Sequence, residues 1–123
     1  MALTFGKNEK LVSRKRIDTL FQGGKVLKKF PLLLKYNSTS DNPGVRIAVS
    51  VPKRKVKSAA KRNRIKRQIR EAYRLNKSSL LETAAKKELD LALFLIYNGE
   101  EKTDFKKIQE KLVLILRELE EKL

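Results

Sequence analysis

Cysteine and histidine are both missing from the 123 residues, and each absence closes off a class of chemistry. Without cysteine there is no disulfide and no thiolate, although this fixes no cellular compartment. Without histidine the usual proton shuttle at neutral pH and the commonest ligand of transition metals are gone. Carboxylates do not fill the gap. The four aspartates, Asp18, Asp41, Asp90 and Asp104, are scattered, and no acid cluster has the spacing to hold a pair of metal ions. Self-sufficient nuclease chemistry is therefore not expected, nor is a metal or cofactor held by protein side chains. Long apolar runs are lacking too. The longest, residues 91–97 and 112–116, fall far short of the roughly 18 residues that a membrane span needs. The first sixteen residues have no apolar core of the kind a secretory signal requires, which points to the cytoplasm and away from a membrane partner.

Positive charge is what the chain has in excess. The formal net charge is +16, and it is unevenly spread: residues 1–80 hold almost all the excess, whereas residues 81–123 have slightly more acids than bases. The densest stretch is residues 53–74, where Glu71 is the only acid. Such density costs self-repulsion unless a polyanion neutralises it, so a nucleic-acid partner is expected, bound by a face built from the first two thirds of the chain. At 14.2 kDa with 41% hydrophobic residues, and with no linker or repeat, residues 1–123 read as one domain with a two-layer core.

Periodicity supplies the elements. Ser13 is a candidate N-cap for a helix of about two turns, with Ile17, Leu20 and Phe21 on its apolar side and Gly23 and Gly24 as its stop. Extended signals follow at residues 26–27, 32–36 and 46–51. The last two are separated by turn formers at 37–44 that read as a hairpin loop. In the third strand Ile47, Val49 and Val51 form one face and Arg46, Ala48 and Ser50 the other. From Ser58 to about Leu75 the pattern is helical. Ile65, Ile69, Ala72 and Tyr73 fall on one side of that helix; Asn63, Arg67, Arg70 and Arg74 fall opposite, with Lys66 flanking them. The almost wholly apolar DLALFLIY at residues 90–97 suits a central strand or one covered on both faces. A last helix is expected with Thr103 as its cap and Asp104 in its first turn. Its buried stripe would be Phe105, Ile108, Leu112, Ile115, Leu116 and Leu119, leaving Val113 and Leu114 to point elsewhere. The resulting fold class is α+β, a two-layer α-β sandwich of order αβββαβα.

Taken together, RIAVSVPKRKVKSAAKRNRIKRQIREAYR at residues 46–74 resembles the protein component of bacterial ribonuclease P. The strand with basic residues after it, and the run Arg62, Asn63, Arg64, Ile65, Lys66, Arg67, Ile69, Arg70, Glu71, Ala72, Tyr73, carry the likeness; weaker similarity extends over about 110 residues. FGKNEKL at residues 5–11, DTLFQGGK at 18–25 and Asp90 ahead of an apolar strand also fit. Two positions depart from the family pattern. Ile17 stands where the first helix usually has an aromatic, and Tyr97, Asn98 and Gly99 stand where basic residues often follow the last strand.

The resemblance implies a left-handed crossover at the arginine-rich helix. It also implies a ribonucleoprotein that removes the 5′ leader of precursor tRNA and extends to other small RNAs as substrates. In that enzyme a catalytic RNA holds the Mg²⁺, and the protein binds that RNA and guides the leader. Expected RNA contacts are Arg62, Asn63, Arg64, Lys66, Arg67, Arg70 and Arg74, with Lys53, Arg54, Lys55 and Lys57 extending the phosphate track. Arg62 also projects toward the apolar side of its helix. For the single-stranded leader, Phe21 and Tyr36 are the expected stacking platforms. Phe5, Lys7 and Ile17 lie nearby, and Ala48 and Ser50 floor the groove. No small-molecule substrate is expected. Three other readings share parts of the pattern: a structural RNA-binding protein of ribosomal type, a DNA-binding regulator using residues 58–74 as a recognition helix, and a basic helix on a membrane surface. The strand directly upstream argues against the second. An apolar stripe fully used by the sheet argues against the third.

Overall fold

Four strands form one sheet in the order β1-β2-β4-β3 in a computed structural model that describes residues 10, 11 and 13–123. Chain order is α1 (Arg14–Gly23), β1 (Lys25–Lys29), β2 (Leu32–Thr39), β3 (Gly44–Ser50), α2 (Ala59–Asn76), α3 (Ser78–Lys86), β4 (Asp90–Tyr97) and α4 (Phe105–Lys122). This is the expected α+β order with one short helix, α3, inserted between the arginine-rich helix and the last strand.

β4 is the organising strand. It runs antiparallel to β2, with Leu34 opposite Leu95, and parallel to β3, with Ile47 opposite Leu93. Its central place in the sheet, with six of its eight residues buried, explains its unbroken apolar sequence. The hairpin expected between β2 and β3 is overturned by the same pairing, because β4 lies between them. The hairpin in this sheet joins β1 to β2, with Leu27 opposite Leu34, around a cis Phe30–Pro31 bond. The residues after β2 instead carry the chain past the start of β4, where the N–H of Gly44, the first residue of β3, donates to Leu89 O at 2.9 Å.

Side chains alternate across the sheet and so divide it into two faces. Leu32, Leu34, Tyr36, Val45, Ile47, Leu91, Leu93, Leu95 and Tyr97 point to the main core, which α2, α3 and α4 complete with Ile65, Ile69, Tyr73, Leu80, Ile108, Leu112, Ile115 and Leu119. The opposite face is covered only in part. There Leu11, Leu20 and Ala92 form a small second cluster, with Ile17, Ala48 and Phe94 packed against it.

Local signals end the helices as the side chains dictate. Ser13 Oγ accepts from the Arg16 N–H at 3.3 Å and starts α1. Gly24 ends it: its N–H donates to Leu20 O at 2.9 Å, and a Cβ on Gly24 would come within 2.6 Å of that same oxygen. Ser58 Oγ accepts from the Lys61 N–H at 3.3 Å to cap α2. At α4 the cap is Asp104, whose Oδ1 accepts from the Lys107 N–H at 2.8 Å, rather than Thr103 one residue earlier. Either residue type can cap, and the carboxylate adds its charge at the positive end of the helix dipole.

Candidate nucleic-acid interface

The apolar stripe of α2 determines which of its cations face outward. Ile65, Ile69, Ala72 and Tyr73 are fully buried, so residues about 180° away are held in solvent by the same helical pitch. Asn63, Arg64, Arg67 and Arg70 are exposed and Lys66 is half-buried. Among the described residues Arg64, Arg67 and Arg70 make no ion pair. Beside them lies an open groove of about 480 Å³ between α2 and the start of α4, lined by Arg64, Arg67, Gln68, Arg70, Glu71, Arg74 and Phe105, with Glu71 its one acid. Gln68 Oε1 in that groove is a buried acceptor with no hydrogen-bond partner. Guanidinium forks on an open groove suit phosphate oxygens.

Two of the expected contacts are spoken for within the protein. Arg62 sits on the buried side of the helix by its angle, and its Nη1 donates to Val56 O at 2.9 Å and Lys57 O at 2.8 Å. Its work is therefore to fasten the loop before α2. Arg74 pairs with Glu71, Nε to Oε2 at 3.2 Å. That hydrogen bond, more than the charge alone, holds the Glu71 carboxyl below the ordinary carboxylate range and raises Arg74 further. The outward cationic row thus centres on Arg64, Arg67 and Arg70.

Lys53, Arg54, Lys55 and Lys57 are all exposed on the loop that leaves β3 just beyond Ser50. The loop is anchored from beneath. Val56 is fully buried, and the Lys55 and Val56 N–H groups donate to Pro52 O at 3.0 and 3.2 Å. The Lys57 N–H donates to Glu101 Oε1 at 3.3 Å. Glu101 also takes Lys61 Nζ at 3.2 Å, which lowers its carboxyl pKa. The basic track is consequently a fixed surface connecting one edge of the sheet to α2.

On the partly covered face of the sheet, Phe21 of α1 is 48% exposed although it is a large apolar side chain. Its ring meets Phe94 edge to face at a centroid distance of 5.1 Å, and Lys35 Nζ lies 4.5 Å from its centre. An exposed ring held by a second aromatic with a cation beside it is the arrangement that stacks unpaired bases. Ala48 and Ser50 are half-buried on the same face, and Ile17 is packed into the small cluster beneath α1. Phe5 and Lys7 lie outside the described residues.

Tyr36 is a correction. It is 3% exposed and belongs to the main core, on the face opposite Phe21. Burial, and then the nearby Glu118 charge, raise its phenol pKa. Strand alternation sends Leu32, Leu34 and Tyr36 inward together and turns Lys35 out to the aromatic platform. Lys35 and Phe94 were both missed by sequence reasoning. The available signal was the period of two: each is the odd neighbour of a residue with a clear core assignment.

Comparison with known proteins gives the family and the fold. The Ribonuclease P family model matches residues 5–120. The chain is similar to the ribonuclease P protein component of Porphyromonas gingivalis strain ATCC 33277, 36% identical over 110 residues, covering 86% of this chain and 80% of that one. It is similar to that of Ectopseudomonas mendocina, 34% identical over 110 residues, covering 88% and 81%. Among solved structures, the Staphylococcus aureus RNase P protein superposes with a TM-score of 0.74 at 20% identity, covering 90% of this chain and 94% of that one. The Thermotoga maritima RNase P protein gives 0.69 at 23%, covering 89% and 96%. At those identities the two structures establish the shared fold. Family match and sequence relatives together show that this chain belongs to the ribonuclease P protein family.

Proposed function

We propose that this chain is the protein subunit of the ribonuclease P endoribonuclease, acting as one RNA-binding domain over residues 1–123. It binds the catalytic RNA through α2 and the preceding loop, and holds the 5′ leader of precursor tRNA at Phe21. Beside the family match, the observation that carries this reading is the outward row of Arg64, Arg67 and Arg70, which make no ion pair among the described residues, the one acid of their groove, Glu71, being paired with Arg74. A second surface, Phe21 with Lys35 and Phe94, supplies what a single strand needs. The basic loop at residues 53–57 runs between them.

The chemistry belongs to the RNA. Mg²⁺ is assigned to the RNA partner, as the family resemblance implies. The protein's contribution is charge neutralisation, which lets polyanions approach, and placement of the leader, which raises the effective concentration of the scissile bond at the site. Among the described residues no helix is long and apolar enough to cross a membrane, and the place of action is proposed to be the cytoplasm.

The test is reconstitution with the cognate ribonuclease P RNA at low Mg²⁺. Addition of the protein should accelerate leader removal from precursor tRNA. Tight RNA binding with no acceleration would instead identify a structural RNA-binding protein and overturn the assignment.

A further inference from the structure

Asp90, the first residue of β4, is 4% exposed and is one of only two buried charged side chains among the described residues. Its Oδ1 accepts from Arg16 Nη1 at 2.6 Å and from Arg46 Nη1 at 2.9 Å, and its Oδ2 accepts from the Asn42 N–H at 3.2 Å. Arg16 Nη2 also reaches the Asp90 carbonyl at 3.1 Å, so one guanidinium grips residue 90 twice. These bonds join α1, the β2–β3 connection, β3 and β4 at a single carboxylate.

The apolar attachment of α1 is slight by comparison. Leu20 is its one buried residue, and among the described residues the cluster beneath it adds Leu11 and Ala92 as buried partners. Charge-assisted bonds to a desolvated carboxylate are the stronger attachment of this helix. Phe21 follows Leu20 on the same helix, so what positions α1 also sets where the Phe21 ring sits over Phe94 and beside Lys35.

We propose that Asp90 is a positioning residue for RNA binding: through Arg16 and Arg46 it fixes α1 on the sheet and thereby holds the Phe21 platform in its binding geometry. This rests on the leader-binding reading of Phe21, and the experiment separates the two. Because the carboxylate withholds two arginines from solvent, the proposal makes a prediction of sign. Asp90→Asn removes a negative charge, raising the net charge by one, and deprives both guanidinium groups of their counter-charge. If Arg16 and Arg46 served as direct RNA contacts, precursor affinity would rise. If Asp90 positions α1, precursor affinity falls.

The measurements are amide hydrogen exchange on the free protein, and affinity of the reconstituted holoenzyme for precursor tRNA and for mature tRNA, with Phe21→Ala as reference. In Asp90→Asn and Arg16→Gln, amides of α1 should exchange about tenfold faster or more, the loss expected for one or two charge-assisted bonds, with β4 amides unchanged. Precursor affinity should fall while mature tRNA affinity holds, and Arg16→Lys should recover part of the loss. Unchanged protection of α1 in both variants, or tighter precursor binding by Asp90→Asn, would overturn the proposal. Arg16→Gln decides the matter should Asp90→Asn not fold, since the Arg16 side chain is at the edge of the knot and 20% exposed. If Phe21→Ala leaves precursor affinity intact, the leader reading fails at Phe21 and the claim on its geometry falls with it; the exchange result would then report α1 docking alone.

Discussion

Arg67 and Arg70 reach solvent because Ile65, Ile69, Ala72 and Tyr73 on the same helix do not. At the scale of single residues the account depends on such pairings of an inward and an outward neighbour, and it can be tested one side chain at a time. Phe21→Ala should weaken binding of precursor tRNA by about 1 to 3 kcal/mol, roughly 5- to 150-fold if one base stacks there, with mature tRNA unaffected. Filter binding or fluorescence titration of the reconstituted complex reads this directly. Tyr36→Leu keeps a buried apolar side chain and removes the aromatic ring. Leader affinity should therefore stay the same, and any loss should appear in the melting temperature. Glu71→Gln removes the acid that the cationic face of α2 carries beside Arg74. Affinity for the RNA should rise, and log Kd should depend more steeply on log salt, by up to about 0.7 to 0.9. A flat response would show that the Arg74 end of the helix faces no phosphate.

Whole elements were legible where two independent signals coincided. α2 had both an apolar stripe at helical spacing and a basic face opposite it, and the structure gives it from Ala59 to Asn76. β4 had a run of apolar residues too uniform for a surface strand, and it lies between β2 and β3. Single signals misled. Turn formers at residues 37–44 suggested a hairpin, yet strand pairing is decided by which apolar faces can be buried together, and β4 was the better partner for both strands. α3 has no side-chain cap and only Leu80 and Ala84 buried. It is secured from outside, by Ser79 and Thr83 hydroxyls donating to Glu120 Oε1 at 2.6 and 3.2 Å, and nothing in its own nine residues announces that partner. The knot at Asp90 was illegible for the same reason: Arg16, Arg46 and Asp90 are far apart in sequence, and only the sheet brings them together. For α2 as an element, Arg67→Ala combined with Arg70→Ala should leave the fold intact, because both side chains are exposed. It should weaken assembly with the RNA and reduce the salt slope by about 0.7 to 0.9 for each arginine that meets a phosphate. Circular dichroism with a salt titration of binding checks both halves. An unaltered slope would mean that the ladder faces solvent in the complex.

Over the whole molecule, charge and fold are arranged on one plan. The basic first two thirds supply α1, the loop at residues 53–57 and the outer face of α2; the acid-richer remainder supplies α3, the central strand and α4, which complete the core behind them. That partition was visible in the composition. The location of the aromatic platform was not, because it depends on strand register and on the packing of Phe21 against Phe94. The protein is in this account a positioning surface, with the reaction carried by its RNA partner. The most direct test is leader removal from precursor tRNA by the protein alone, by the RNA alone at high Mg²⁺, and by the two together at low Mg²⁺. The account predicts no cleavage by the protein, slow cleavage at the correct bond by the RNA, and rapid cleavage at that same bond by the complex. Metal-dependent removal of the leader by the purified protein without RNA would contradict it.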